Sequence, residues 1–352
     1  MQPASYRHME YRANSDIVWR PRCFLPLTRT QIDKLTAEIS AAALSSWLKS
    51  EGFTRVGRTR DQIAVKIDAL LKRRELSEDK LREGVCSVEE ASGKRIFLLN
   101  LPSSGKQIQD CAAFEKHLNA IGKVLSKERK LAPRTPSRPT QVYITCSSKQ
   151  VRAKWAETHT RIEVEKASMN FTQTDVTRVI VMVADLSTGL VEVRFDKPED
   201  QTPHGKSKDA YFAHYKQAAS DLLGTSLIQF ETRDALRSLV ETEPRIVRIR
   251  VSSHRSKTDK AVKFVARTPK GDVRDDAEWH AAYEVGETSR AYDDQAVYWL
   301  PAASEGSLTR EVFTAIDAVA SMARVEADCH EGEVHYAVSR IRAHQIKASP
   351  AS

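Results

Sequence analysis

The chain has 352 residues, of which 41% are hydrophobic and 29% are charged, and its formal net charge is +8. The length suggests about two domains, and the apolar fraction excludes a wholly disordered chain. The longest apolar runs, such as residues 179–184, fall far short of the roughly 18 residues that a transmembrane helix needs. The first residues of the chain lack the apolar core of a secretory signal. We therefore expect a cytoplasmic protein without membrane association.

The five cysteines are widely spaced, and no Cys-x-x-Cys pair occurs. They are Cys23, Cys86, Cys111, Cys146 and Cys329. A disulfide framework or a structural zinc site typically shows clustered cysteines. The pattern therefore predicts buried, reduced thiols and a reducing compartment, with no metal and no cofactor.

The positive charge is concentrated in the first part of the chain. Residues 1–150 contain 27 basic and 16 acidic side chains, whereas residues 151–352 contain 28 basic and 31 acidic ones. Dense basic segments are typical of surfaces that contact phosphate, although they also occur on ordinary solvated faces. Residues 275–352 contain fourteen acidic and six basic side chains. This acidic C-terminal segment predicts either internal pairing with the basic segments or docking of a basic protein partner.

The first 127 residues are predicted to form a small, mainly helical domain. Apolar residues spaced three and four apart favour helices, and one short apolar run favours a strand. The helices are expected at about residues 30–49, 60–76, from 78 onwards and 107–126, and the strand at 94–101. Ser77 is a suitable N-cap for the third helix, since two acidic residues follow it in the first turn.

Residues 128–140 are predicted to be a linker between two domains. The segment contains three prolines and four basic residues. Proline is disfavoured both inside a helix and in a central strand. We therefore place the domain boundary there, with a second domain over residues 141–352.

The second domain is predicted to be of the mixed α+β class with a largely antiparallel sheet. Strands are expected at 141–145, 161–166, 178–184, 190–195, 227–230, 245–252, 261–268 and 333–339, and helices at 207–223, 232–241 and 308–327. A hairpin turn is expected at 185–189, where Gly189 can adopt a positive φ. The strands and helices do not alternate regularly, as they would in a parallel βαβ sheet, and this favours the α+β class.

Residues 41–75 contain two predicted amphipathic helices joined by a connection with two glycines. Gly52-Phe53 and Gly57 lie in the connection. Arg60, Ile63, Lys66 and Ile67 follow in the second helix. This pattern resembles the SAP-type helix–extended–helix DNA-binding module, with about one extra residue after Gly57. The order of a helical domain before a β-rich one is also similar to that of the centromere protein N family, which binds nucleosomes.

In SAP-type modules the connection and the start of the second helix contact the phosphate backbone. The resemblance therefore implies phosphate contacts by Arg55, Arg58, Arg60 and Lys66. A helix N-terminus beside arginines is also an anion-binding arrangement on physical grounds. The alternative is a plain helical bundle with solvated arginines.

A second candidate site is a cationic face of a two-stranded ribbon. Residues 245–252 and 261–268 alternate in hydrophobicity, which predicts one apolar face and one polar face. If the two strands pair, Arg248, Arg250, Lys263 and Arg267 share an exposed surface, and the loop between them adds Arg255, Lys257 and Lys260. Such a ribbon can lie along a phosphate backbone or enter a groove. The alternative is a solvated face balanced by the acidic residues at 272–276.

The basic segment around the linker supplies further candidate contacts. They are Arg134, Arg138, Lys149, Arg152 and Lys154.

Catalytic patterns are weak in this sequence. Gly105-Lys106 lacks the other residues of a P-loop, and Cys329-His330 with His335 matches no common zinc spacing. Asp185 with Glu192-Val193-Arg194 places arginine where metal-dependent nucleases usually have lysine, and arginine cannot give up its proton to act as a base. No nucleophile motif is present.

The sequence thus predicts a non-enzymatic protein that binds nucleic acid, with DNA favoured over RNA. It would contact the phosphate backbone with weak sequence specificity. One alternative is a nucleic-acid-processing enzyme or defence-system subunit with a divalent-metal carboxylate site. The other is a protein–protein adaptor.

Overall fold

The computed structural model describes residues 27–37, 39–102, 108–165, 170–197, 208–242, 246–255, 261–285, 291–325 and 328–348. The helices in these ranges are α1 (Arg29–Thr36), α2 (Ala41–Ser50), α3 (Arg60–Lys72), α4 (Glu78–Ala91), α5 (Cys111–Ala120), α6 (Lys208–Leu223), α7 (Arg233–Thr242), α8 (Ala277–Val285) and α9 (Glu331–Ala348). The strands are β1 (Arg95–Asn100), β2 (Thr140–Ser147), β3 (Gln150–Glu165), β4 (Asn170–Asp185), β5 (Leu190–Phe195), β6 (Ile228–Gln229), β7 (Val247–Arg255), β8 (Ala261–Val265), β9 (Ala291–Trp299), β10 (Val312–Asp317) and β11 (Met322–Val325).

The strands form one large sheet in the order β2-β3-β4-β5-β1-β11-β10-β9-β7-β8, and β6 also pairs with β1. The strand pairs are antiparallel, including the predicted hairpin of β4 and β5. The predicted mixed α+β class with a largely antiparallel sheet is therefore confirmed.

Strand β1 lies in the middle of this sheet. Ile96 is opposite Arg194 of β5 on one side and Ala323 of β11 on the other. Ile96 and Leu98 face one hydrophobic core, whereas Phe97 and Leu99 face another. A strand with two apolar faces is stable only where both faces are covered. Strand β1 precedes the boundary predicted at residues 128–140 and shares a sheet with strands that follow it, so the sheet includes residues from both sides of that segment.

Residues 128–139 form a strap across the sheet rather than a free linker. The strap has no helix or strand, as its prolines predict. However, Ala132 packs against valines of β4. The Thr135 amide donates to Oγ1 of Thr177 over 2.8 Å, and the Thr158 hydroxyl donates to the Pro136 carbonyl over 2.8 Å.

Helices cover both faces of the sheet. Lys154 and Val181 lie opposite each other and face α4 and the strap, whereas Trp155 faces α5 and α6. Helices α7 and α9 cover the first of these faces beside β1, β9, β10 and β11. The second face beyond β1 carries half-buried side chains such as Phe313 and Tyr298.

Helices α1 to α4 share a hydrophobic cluster of their own. Its buried members include Ile32, Trp47, Ile67 and Val85. Ser77 caps α4 by accepting from the Lys80 amide, as predicted. The helix predicted at 30–49 is instead two helices, because a new N-cap at Ser40 accepts from the Ala43 amide.

Two predictions near the end of the chain are wrong. The helix predicted at 308–327 is the hairpin of β10 and β11, in which Val312, Thr314 and Ile316 are buried alternately. The strand predicted at 333–339 is part of α9, since Val334, Val338 and Ile341 bury at helical spacing. The small, apolar residues in both segments fit either period, so the periodicity did not discriminate.

The predicted cysteine chemistry is only partly confirmed. Cys86 and Cys329 are buried thiols, and burial raises the pKa of Cys86 to about 11. However, Cys111 and Cys146 form a disulfide that links α5 to β2. Cys23 lies outside the described residues. The prediction of five reduced thiols is therefore wrong for the Cys111–Cys146 pair.

Candidate nucleic-acid interface

The connection between α2 and α3 carries exposed arginines. Arg55 has a φ of 53°, and both Arg55 and Arg58 are exposed. Thr59 and Gln62 form a capping box at the start of α3, and Gln62 also accepts from the Arg58 amide over 2.9 Å. These contacts hold the backbone of the connection while its arginine side chains remain on the surface.

The other two residues implied by the SAP-type resemblance are more constrained. Arg60 donates through Nη2 to the Ile39 carbonyl over 3.1 Å, which ties α3 to the break between α1 and α2. Lys66 is half-buried along α3. Arg60 is thus exposed like Arg55 and Arg58 but tied to the backbone at Ile39, whereas Lys66 is only partly accessible.

Arg58 lines a concave pocket with two cations that sequence reasoning missed. The pocket measures about 240 Å³ and is lined by Ala42, Ser45, Ser46, Lys49, Arg58, Thr309 and Arg310. Lys49 lies in the last turn of α2, next to the predicted connection. Arg310 comes from the turn before β10, and nothing in its local sequence indicates that it would meet Arg58.

Arg310 is held in place by a buried carboxylate. Its Nε lies 3.2 Å from Oε1 of Glu333, and its Nη2 donates to the Asp328 carbonyl over 2.6 Å. Glu333 is fully buried and also accepts from Ser46 Oγ over 2.9 Å. The carboxylate of Glu333 thus joins α2, α9 and the approach to β10.

Two of the predicted phosphate contacts, Arg152 and Lys154, lie inside the molecule. Lys154 Nζ is 2.8 Å from Oε1 of Glu90, and Arg152 Nη1 is 3.0 Å from Oε2 of the same carboxylate. Both cations point to the face of β3 that α4 covers. This corrects the prediction of surface contacts, because both faces of β3 are covered here.

The surrounding residues form a buried ionic cluster with four carboxylates and four cations. Its members are Glu89, Glu90, Arg129, Arg152, Lys154, Glu192, Arg194 and Glu331. It joins α4, the strap, β3, β5 and α9. Burial opposes ionisation of Glu90, but Lys154, Arg129 and Arg152 together hold its pKa below the ordinary value. The charges balance internally, so the cluster presents no net charge to a ligand.

The remaining cations of that basic segment are exposed. Arg134 and Arg138 lie on the strap, and Lys149 lies in the turn between β2 and β3 with a φ of 66°. Arg134 lines a cavity of about 600 Å³ between the strap, α4 and β4, together with Lys94 and Asp196. These residues remain candidate contacts.

The ribbon of β7 and β8 pairs as the sequence predicts, but its cations do not form one free surface. A register irregularity lies at Arg250, whose Nη1 donates to the Ala266 carbonyl. Arg248 makes two hydrogen bonds to Glu311, at 2.9 and 2.6 Å, and lies 4.7 Å from the Tyr298 ring centroid. Arg250 is thus engaged within the sheet, and Arg248 is neutralised by Glu311 of the acidic C-terminal segment.

Two cations of the ribbon stay exposed. Lys263 is exposed on β8, and the exposed Arg267 lies 3.4 Å from Asp276. Lys257 and Lys260 lie outside the described residues, and only the backbone of Arg255 is described. The ribbon therefore offers fewer free charges than its sequence indicates.

The carboxylates of the predicted nuclease site have internal partners. Asp185 accepts from the Ser187 amide and hydroxyl and so closes its own turn. Glu192 lies 2.7 Å from Nη2 of Arg194 within the buried ionic cluster. Within the ranges that the structure describes, no group of three or more His, Cys, Asp or Glu side chains could hold a metal. His330 is buried, whereas His335 is exposed.

A second buried polar network was not anticipated. Glu157 of β3 accepts from the Tyr215 hydroxyl over 2.5 Å and lies 2.6 Å from Nε2 of His159. Burial opposes ionisation of Glu157, but hydrogen bonds from His159 and the tyrosines lower its pKa. All three side chains are buried, so the network anchors α6 to the sheet rather than facing a substrate.

Comparison with known proteins places the chain in no family. No family model matches it, and neither does any curated protein. None of the helices in the described ranges combines the length and the apolar character needed to cross a bilayer.

Proposed function

We propose that this protein binds nucleic acid through the phosphate backbone, with the connection between α2 and α3 as its main contact surface. The observation that supports this most is that the basic side chains of this connection have no acidic partners among the described residues. Lys49, Arg55 and Arg58 are exposed at one end of the α1–α4 cluster, and no carboxylate of the described residues pairs with them. Arg152, Lys154 and Arg248, in contrast, are neutralised internally.

The α1–α4 cluster is the helical unit of this proposal. Its own hydrophobic core and the capped start of α3 can present the arginines on a firm scaffold. Backbone contacts of this kind position a protein without reading the bases, so binding is weakly specific. The preference for DNA follows from the SAP-type resemblance alone.

Lys263 and Arg267 form a second, weaker contact in this proposal. Two surfaces on one molecule increase the total affinity when one nucleic acid can reach both. A cytoplasmic location stays a prediction, and the Cys111–Cys146 disulfide argues against the reducing conditions on which it was based.

The test is binding of a duplex of about 20 base pairs with hydroxyl ends, as salt rises from about 50 to about 300 mM. We expect affinity to fall steeply with salt, since each neutralised phosphate adds about 0.9 to the logarithmic slope. The variant Arg55→Gln/Arg58→Gln should bind more weakly and show a slope smaller by about 2.

The matched control is Lys263→Gln/Arg267→Gln, which removes the same charge from the ribbon. A larger loss in this control than in the connection variant would assign the main surface to the ribbon. An absence of binding at the lowest salt would contradict the proposed function itself.

A further inference from the structure

The pocket between α2 and residues 309–310 is built from cations and hydroxyls. Lys49, Arg58 and Arg310 line it, and Ser45 and Thr309 add hydroxyl groups. No acidic side chain lines it, although the chain has 47 acidic residues. Lys49 and Arg58 have no carboxylate partner among the described residues, whereas Arg310 is paired with Glu333 behind the pocket. A concave site with two unpaired cations, a third oriented guanidinium and no lining carboxylate favours an anion.

The hydrogen-bonding capacity of these cations is largely unused. A lysine ammonium has three donors and a guanidinium has five. Lys49 and the Arg58 guanidinium contact no acceptor in the part of the chain that the structure describes. Arg310 uses Nε and Nη2 for Glu333 and the Asp328 carbonyl, and its Nη1 is left for a ligand.

The position of Arg310 is fixed before any ligand arrives. Glu333 is fully buried, and it accepts hydrogen bonds from Ser46 and from the His330 amide. An arginine that is already oriented loses little conformational freedom on binding, so its hydrogen bonds contribute more to affinity.

The volume and charge suit one terminal phosphate. The pocket has a volume of about 240 Å³, which accommodates a phosphoryl group. A phosphomonoester carries a charge of about −1.5 to −2 at pH 7 and has three acceptor oxygens. A phosphodiester carries a single negative charge. It also has two ester-linked groups that must extend out of the pocket, and a concave site accommodates these less well than the single ester link of a monoester.

We propose that the pocket formed by Lys49, Arg58 and Arg310 binds a phosphomonoester group, which is the phosphorylated end of a nucleic-acid strand. The choice of a strand end rests on the proposed function. The choice of a phosphomonoester rests on the pocket alone.

The experiment compares duplexes that differ only in a 5′- or 3′-terminal phosphate, in the same salt. We expect the full chain to bind one phosphorylated form at least about tenfold more tightly, the size of one charge-assisted hydrogen bond. The variant Lys49→Glu/Arg58→Glu should lose this preference. Both side chains are exposed, so the variant should fold.

Two further variants serve as controls, one for net charge and one for the geometry of the guanidinium. Lys116→Glu/Lys127→Glu makes the same change in net charge at exposed residues outside the pocket, and it should keep the preference. Arg310→Lys keeps the charge but loses the planar fork, and it should reduce the preference while the protein stays folded.

The outcomes separate this inference from the proposed function. Equal affinity for all duplex ends would overturn the phosphomonoester site and leave backbone binding intact. If no duplex binds, the proposed function fails. A rise in the melting temperature with inorganic phosphate, absent in Lys49→Glu/Arg58→Glu, would then still support the site, and no rise would overturn it.

Discussion

Replacement of Glu90 with glutamine is expected to lower the free energy of unfolding by about 3–5 kcal/mol, because it leaves buried cations without their shared counter-charge. Glu90 is fully buried and lies within 3.0 Å of atoms of Arg129, Arg152 and Lys154. It also accepts from the Tyr143 hydroxyl over 2.7 Å. Urea unfolding of the wild type and the variant measures the difference.

Glu83→Gln is the matched control, since Glu83 lies on the same helix and is exposed. We expect this control to change stability by less than about 0.5 kcal/mol. A loss below about 1 kcal/mol for Glu90→Gln would mean that the buried ionic cluster does not hold the helices to the sheet.

The effect of Glu90→Gln on stability is also expected to depend on pH. A carboxylate whose pKa is lowered by folding stabilises the protein above its ordinary pKa, and this contribution is lost as pH falls towards the lowered value. Lys154, Arg129 and Arg152 lower the pKa of Glu90 against the effect of burial. The stability difference between wild type and Glu90→Gln should therefore be largest near neutral pH and become smaller below about pH 4.

The second large effect is expected at Trp299. Trp299→Ala should lower the free energy of unfolding by about 3–5 kcal/mol, because a large buried ring is removed. Trp299 is opposite Val312 of β10, donates through Nε1 to Oγ1 of Thr314 over 3.0 Å, and meets Tyr336 of α9 edge-on at 6.2 Å between ring centroids. Denaturant unfolding measures the loss.

Trp299→Phe is the control, since it keeps an aromatic ring in place but removes the pyrrole part of the indole with its Nε1 donor to Thr314. It should cost about 1–3 kcal/mol. A loss below about 1 kcal/mol for Trp299→Ala would contradict the placement of β10 as a strand beside β9 and of α9 as a helix over it.

Local patterns predicted the elements whose residues make their contacts nearby. The hydroxyl of Ser77 and the glycine of the 185–189 turn act within a few residues, and both are where the sequence predicts. The alternation of β7 and β8 predicted their pairing. It did not predict the irregularity at Arg250, because that depends on β9, which comes later in the chain.

The candidate site was only partly predictable for the same reason. Arg55 and Arg58 follow from the two glycines of the connection, and Lys49 is in the adjoining helix turn. The carboxylates that neutralise Arg152, those of Glu90 and Glu331, are 62 and 179 residues away in the chain. The sequence around Arg152 therefore gave no sign that its charge is not free to bind phosphate. Arg310 has no local signal, since only the sheet brings it to α2.

The most direct test of the central claim is to identify the residues that touch bound nucleic acid. A duplex with a photoreactive group on its backbone would be cross-linked to the full chain, and the modified peptides identified by mass spectrometry. We expect cross-links within residues 45–60 and at 309–310. Two results would contradict the proposed contact surface. One is cross-links confined to β7 and β8. The other is no cross-linked peptide at a salt concentration where the duplex is bound.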